Sequence, residues 1–257
     1  MKLNKEDLKE FLDEKVVKYN RPDFIEHDPI SIPHLFIVKE DIEIAGFLAA
    51  TIAWGNRTMI LKNANRMMAF MDYSPYEFVL GHTENDLEKI NGVIHRTFNA
   101  EDFVFFIRAL KYIYTHENGM EGIFNKYKTR DSLQPAIHKL RCLFFELPHN
   151  ERVMKHISDP YKGSAAKKIN MYLRWMIRKD NKGVDFGIWK SISPSILSCP
   201  LDIHSGNIAR KLELLDRKQN DSKAVNELDI HLRAMDNEDP VKYDFALFGL
   251  GVFEGFK

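Results

Sequence analysis

The chain has 257 residues, 44% of them hydrophobic and 12% aromatic, with 37 basic and 37 acidic side chains that leave a net charge of zero. That length allows one large domain or two small ones sharing an interface, and the balanced charge excludes a uniformly basic nucleic-acid coat. No run approaches the roughly 18 consecutive apolar residues of a membrane span, and the charged N-terminus MKLNKEDLKEFLDEK lacks the apolar centre of a signal peptide, so a cytoplasmic protein is expected. With only Cys142 and Cys199, a disulfide framework, a four-Cys zinc site and a four-Cys iron–sulfur cluster held by one chain are all excluded.

The dominant period is helical. Leu8, Leu12, Val16 and Tyr19 form one stripe of an N-terminal helix that stops at Asn20-Arg21-Pro22. Residues 23–34 carry Pro29 and Pro33 and read as an extended loop. Glu40 to Trp54 is Ala-rich and apolar on most sides, as expected of a buried helix; Trp54-Gly55-Asn56 breaks it, and a second helix runs from about Arg57 to Met71. Asn99, with Asp102 three residues on, opens an aromatic helix in the manner of a capping box, and Gly119 ends it or lies just beyond. Residues 131–147 form a helix with Pro135 in its first turn. Further helices are expected over 165–179, 202–215, 222–235 and 240–250. No run alternates like a strand, so the fold class is all-α. The loop 180–200, with Gly183, Gly187 and Pro194, is the best candidate for a functional insertion.

Charge is uneven along the chain. Between Glu151 and Lys179 stand Arg152, Lys155, Lys162, Lys167, Lys168, Arg174, Arg178 and Lys179, opposed only by Glu151 and Asp159. Such a cluster suits phosphate neutralisation, and equally a solvated helix face. Asp202 follows a short connector containing Pro200 and stands at the mouth of an amphipathic helix whose apolar positions are Ile203, Ile208, Leu212 and Leu215. Its carboxylate suits the free amides of that helix whether or not it has any chemical role.

Pro200-Leu201-Asp202-Ile203-His204, followed by a helix with Ala209-Arg210-Lys211-Leu212, resembles the segment bearing the catalytic aspartate in endonuclease III and the 8-oxoguanine glycosylases. These belong to the helix-hairpin-helix DNA glycosylase superfamily. Upstream, Gly163-Ser164-Ala165-Ala166-Lys167-Lys168-Ile169-Asn170 is similar to the hairpin and helix that carry the nucleophilic lysine; aligning Asn170 places that lysine on Lys167, with Lys168 as the register alternative. Trp54, Asn56 and Arg57, at a turn between helices, resemble the segment supplying pocket and duplex-wedge residues, and Asp244 and Phe248 fall where a late helix contacts the base. The set of motifs, in this order, also resembles an uncharacterised bacterial family.

The resemblance implies two helical subdomains with a cleft between them, approximately 40–150 as a central bundle and 1–39 plus 151–257 carrying the hairpin and the Asp202 helix. It also implies damaged duplex DNA as partner, oxidised purines as a candidate lesion, and no cofactor. A flipped nucleotide enters a pocket; the Lys167 amine, lowered in pKa by burial and by Lys168 and Arg174, attacks C1′ while Asp202 assists. Gly163 and Ser164 of the hairpin, Arg174, Arg178, Lys179 and His204 are implied on the DNA side, with Trp54 or Trp175 available to stack on a base. One departure stands out: the superfamily hairpin has two glycines, whereas Pro160-Tyr161-Lys162-Gly163-Ser164 has one. A non-catalytic nucleic-acid-binding module on the same fold therefore stays open. So does a metal-dependent hydrolase using His27, Asp28 and His34 with Asp202 and His204, although no tight histidine pair or Cys spacing supports a metal.

Overall fold

A computed structural model describes residues 4–255. Among the described residues the chain is all-α apart from one small hairpin, and no helix is long and apolar enough to cross a membrane. In chain order the helices are α1 (Lys5–Tyr19), α2 (Asp23–Glu26), α3 (Lys39–Thr51), α4 (Arg57–Phe70), α5 (Pro75–Gly81) and α6 (Glu84–Glu88). The antiparallel strands β1 (Val93–His95) and β2 (Phe98–Asn99) follow, then α7 (Ala100–His116), α8 (Gly119–Tyr127), α9 (Gln134–Phe144), α10 (Lys167–Ile177), α11 (Ile203–Lys211), α12 (Ser222–Met235) and α13 (Tyr243–Val252). The chain divides into two compact units, one of residues 1–24, 129–134 and 159–257, the other of residues 25–128 and 135–158.

The second unit is built on α3, whose residues from Ile42 to Thr51 are all buried, so its apolar all-round composition matches its position. Phe47 packs on Phe106 and Phe144, with ring centroids 5.9 and 5.8 Å apart. The Asn99–Asp102 capping box forms as the sequence predicts: Asp102 N donates to Asn99 Oδ1 and Asn99 N to Asp102 Oδ2. The same buried Asp102 accepts from Arg152 at 2.6 Å and pairs with His156 at 3.2 Å, so Arg152 is a structural cation rather than part of a phosphate cluster.

Two expectations for this unit need correcting. The stretch 23–34 is not extended, because Pro29 and Pro33 each open a short 3-10 turn, where a missing amide costs nothing. The hairpin 93–99 carries too few residues to show alternation. Gly119 lies just beyond the aromatic helix, which ends at His116, and opens α8.

In the first unit α1 and α11 both pack on α13. The core includes Leu12, Val16, Cys199, Ile208, Leu228, Tyr243 and Leu247. Gly249 lies against the ring of Tyr19 so closely that an added Cβ would sit 2.2 Å from Cδ2, which fixes glycine there. The loop after α10 is not a loose insertion. Phe186 N and Trp189 N donate to the Trp175 and Met176 carbonyls at 2.8 and 3.0 Å, and Val184, Asp185 and Trp189 are buried.

Candidate active site

The chain reaches α10 through a 3-10 turn over Pro160–Lys162, capped by Asp159, whose side chain accepts from Tyr161 N. Gly163 follows at φ +86°, and Ala166, just before the helix, is also left-handed at φ +46°. The single glycine of the sequence therefore hides a second left-handed position, occupied by an alanine at a steric cost of about 1–2 kcal/mol. Ser164 Oγ accepts from Ala166 N, and Gly163 O accepts from Ser222 N, tying the turn to the start of α12. Gly163 and Tyr161 are exposed, and Ser164 is half-buried.

This turn sets Lys167 at the first position of α10, half-buried, with Nζ 3.5 Å from Asp202 Oδ2. Asp202 is the N-cap of α11: its Oδ1 accepts from His204 N at 2.8 Å and Ser205 N at 3.0 Å, while Ser205 Oγ accepts from Asp202 N. Asn220 Nδ2 donates to the Asp202 carbonyl at 2.7 Å, and Arg210 in turn holds Asn220. One oxygen thus starts the helix and the other faces the lysine. Capping and pairing with Lys167 are compatible, and the carboxylate does both.

The amine with the lowered pKa is Lys168, pushed down to about 8 by burial and then by the like charge of Lys167. Both amines stand in the first turn of α10, one residue apart.

Asp244, in the first turn of α13, is buried and ion-paired to Arg174 Nη1. Burial pushes its carboxyl up to about 6, against the opposing charge of Arg174; Asp202 adds to the rise and Lys167 opposes it. Arg174 also meets Asp185 at 3.2 Å and lies over the Phe245 ring at 4.3 Å. Arg178 is enclosed by Asp185 at 3.0 Å, Asp180 at 2.9 Å and Asp239 at 2.9 Å.

Arg174 and Arg178, implied as phosphate contacts, are therefore buried in an ion network and do not reach a ligand as they stand. Trp175 is fully buried and cannot stack on a base, and Asp244 spends an oxygen on Arg174 rather than presenting it. Phe248 is half-buried beside Phe24 and Phe253. Of the other residues implied on the DNA side, Lys179, two residues past the end of α10, and His204, in the first turn of α11, are exposed. Ile203, expected to be buried, is 69% exposed immediately beside Asp202. The counter-ions Asp185 and Asp239 had no local signal: Asp185 lies in the loop seven residues after Arg178, beyond the helical spacing of α10, and Asp239 lies 61 residues away.

Trp54, Asn56 and Arg57 belong to the second unit. Asn56 caps α4 through Met59 N, and the half-buried Trp54 packs edge-on to His95, which contacts the Trp54 carbonyl at 2.9 Å. Arg57 is the first residue of α4. Beside this turn a pocket of about 440 Å³ is lined by Asn56, Asn63, Arg66 and Arg96 among others. Among the described residues no group of three or more His, Cys, Asp or Glu side chains is arranged to hold a metal ion, so His27, Asp28 and His34 gain no support as ligands.

The model of a family described as a protein of unknown function (DUF2400) matches residues 28–253, and the chain belongs to that family. No curated protein and no solved structure matches it.

Proposed function

We propose that this family member is a base-excision DNA glycosylase with lyase activity, built on the helix-hairpin-helix glycosylase fold and working in the cytoplasm on damaged duplex DNA. The observation that carries the reading is the 3.5 Å approach of Lys167 Nζ to Asp202 Oδ2, at the facing starts of α10 and α11. The resemblance supplies the reaction class, and the paired amine and carboxylate supply what that class needs.

In the proposed reaction Asp202 Oδ2 takes a proton from the Lys167 ammonium. The freed amine attacks C1′ of a flipped nucleotide, the C1′–N bond breaks, and its electron pair leaves with the base, which is then protonated. The nitrogen then loses its extra proton and forms the C1′=N bond of a Schiff base as the C1′–O4′ bond breaks and O4′ takes up a proton. Loss of a C2′ proton next forms the C2′–C3′ double bond as the C3′–O bond breaks and its electron pair leaves with the 3′ phosphate. The negative Asp202 also stabilises positive charge developing at C1′. Lys168 is a second candidate for the nucleophile, favoured by its depressed pKa near 8, which keeps a larger share of its amine neutral at pH 7.

Borohydride trapping on duplexes carrying oxidised purines and abasic sites tests this. A covalent adduct is expected with the natural chain and with Lys168→Ala, and none with Lys167→Ala. An adduct lost only in Lys168→Ala moves the nucleophile by one residue. Tight DNA binding with no adduct and no base release on any lesion, unaffected by Asp202→Asn, overturns the enzyme reading in favour of a binding module.

A further inference from the structure

In the second unit the hairpin β1–β2 packs on α4. Asn56, the cap of α4, and Met59, Asn63 and Arg66 recur every three or four residues and so form a single stripe along the helix. Between this stripe and residues 93–96 of the hairpin lies the pocket of about 440 Å³.

The hairpin is pinned at several points, which fixes the pocket in advance of any ligand. Arg66 Nη2 donates to the Val93 carbonyl, and Arg152 Nη2 donates to the Thr97 carbonyl at 2.9 Å. The buried His95 has Nε2 2.9 Å from the Trp54 carbonyl. A carbonyl only accepts, so Nε2 carries the proton and Nδ1 accepts from Asn63 Nδ2 at 2.9 Å. Asn56 Oδ1 is taken by Met59 N. Two amide ends therefore have no partner among the described residues: Asn63 Oδ1, an acceptor, and Asn56 Nδ2, a donor.

Arg96 is the first residue of the hairpin's two-residue turn and is left-handed at φ +51°, a conformation that glycine adopts without strain. Its guanidinium reaches Gly55, where an added Cβ would stand 2.3 Å from Arg96 Nη1. Glycine would serve the turn better; what arginine adds is a cation seated beside the start of α4. Arg66 stands toward the other end of the stripe, ten residues on from Asn56. Unlike Arg174 and Arg178, neither guanidinium meets a carboxylate among the described residues, and none of the pocket's lining residues is acidic. Met59 and Val93, 46% and 62% exposed, add apolar surface to the lining.

We infer that this pocket binds unpaired nucleotides of a nucleic-acid strand. Backbone phosphates lie at Arg96 and Arg66, and a base rests against Met59 and Val93 with its edge at Asn56 Nδ2 and Asn63 Oδ1. Two uncompensated cations set apart along a helix match the repeated charge of a strand. A donor and an acceptor beside apolar surface match the edge and face of an exposed base. A paired base has already spent that edge, and the side chains of an acidic peptide would use neither the acceptor nor the apolar surface. The resemblance assigns no part to Arg66, Arg96, Met59 or Val93, and the inference stands whether or not Lys167 and Asp202 perform the proposed reaction.

Fluorescence anisotropy of the full chain with a labelled single strand of about ten thymidine nucleotides tests it, beside an abasic strand of equal length and a hexaglutamate competitor. Saturable binding is expected, about fivefold or more tighter than that of the abasic strand, with no displacement by hexaglutamate. Arg96→Gly relieves the strained turn, so its thermal midpoint should be unchanged or raised. The same variant should bind the strand several-fold more weakly and lower the slope of log affinity against log salt by about 0.7. Lys167→Ala should bind the strand as the natural chain does. Absence of saturable binding, equal affinity for the abasic strand, displacement by hexaglutamate, or an Arg96→Gly variant with unchanged affinity and salt slope overturns the inference. A loss in Lys167→Ala that Arg96→Gly does not share puts the strand on the first unit and overturns it equally.

Discussion

Asp202 divides its carboxylate between two partners: Oδ1 accepts the amides of His204 and Ser205, and Oδ2 faces Lys167 Nζ at 3.5 Å. Asparagine is as good an N-cap as aspartate but carries no charge, so Asp202→Asn isolates the second function. It should keep the melting behaviour of the natural chain while abolishing or strongly slowing covalent trapping. Asp202→Ala should lose about 1 kcal/mol of stability as well. Thermal melts of both variants beside the trapping assay check this; equal destabilisation by Asn and Ala would mean that the pairing, not the cap, holds α11.

Lys168 and Lys167 share one helical turn, and their like charges act on each other. In Lys167→Met the Lys168 amine should rise from about 8 toward its ordinary value, but only part of the way, because burial is the larger cause of its depression. An NMR titration of the Lys168 side chain reads the shift. An unchanged midpoint would mean that burial alone sets it.

Arg174 and Arg178 show where local sequence stopped being informative. Within 151–179 they stand among other cations and look like part of a phosphate-binding face. Their counter-ions Asp185, Asp239 and Asp244 come from the loop after α10, the approach to α13 and its first turn, so only tertiary structure reveals that the guanidinium groups are already spent. Asp202 and the Asn99–Asp102 box were legible for the opposite reason: a cap and its amides lie within three residues. Removing a buried partner leaves a charge uncompensated, so Arg174→Met should cost about 3–5 kcal/mol. The exposed Lys179→Met should cost less than about 0.5 kcal/mol. If the chain binds DNA, the Lys179 variant should reduce the salt dependence of binding by about one counterion. Urea unfolding and salt-dependent binding curves give the two readouts.

The turn before α10 makes two left-handed residues from a segment with one glycine, which sequence reading treated as a missing feature. Ala166 at φ +46° is strained, whereas Gly163 at φ +86° is not. Ala166→Gly should therefore be neutral or stabilising by up to about 1 kcal/mol, the relief of strain exceeding the added chain entropy. Gly163→Ala should destabilise by about 1 kcal/mol even though open space surrounds the position where a Cβ would stand. Opposite signs in chemical denaturation would support this reading, and a destabilised Ala166→Gly would count against it.

Asp229 gives the clearest pH dependence. Its carboxylate is buried, accepts from Cys199 N at 2.9 Å and stands 3.7 Å from Arg233; burial outweighs both and pushes it up to about 6. Between about pH 4 and 6 the folded chain holds this proton while the unfolded chain has released it. Its contribution to stability is thus complete below about pH 4 and is lost as pH rises through about 6, a change of about 3 kcal/mol. Asp229→Asn retains an acceptor for the Cys199 amide and cannot ionise, and Arg233 keeps the Ser195 and Leu197 carbonyls. Many other carboxylates titrate over the same range, several with lowered values, so the natural chain alone is not diagnostic. The measurement is the difference in unfolding free energy, natural chain minus Asp229→Asn, from urea titrations at several pH values. It should fall steadily from pH 4 to 6 and level off above 7, so that relative to the variant the natural chain is less stable at neutral pH than at pH 4. A difference that stays flat across that window would mean that Asp229 is ionised in the folded chain throughout, held by Arg233 despite its burial.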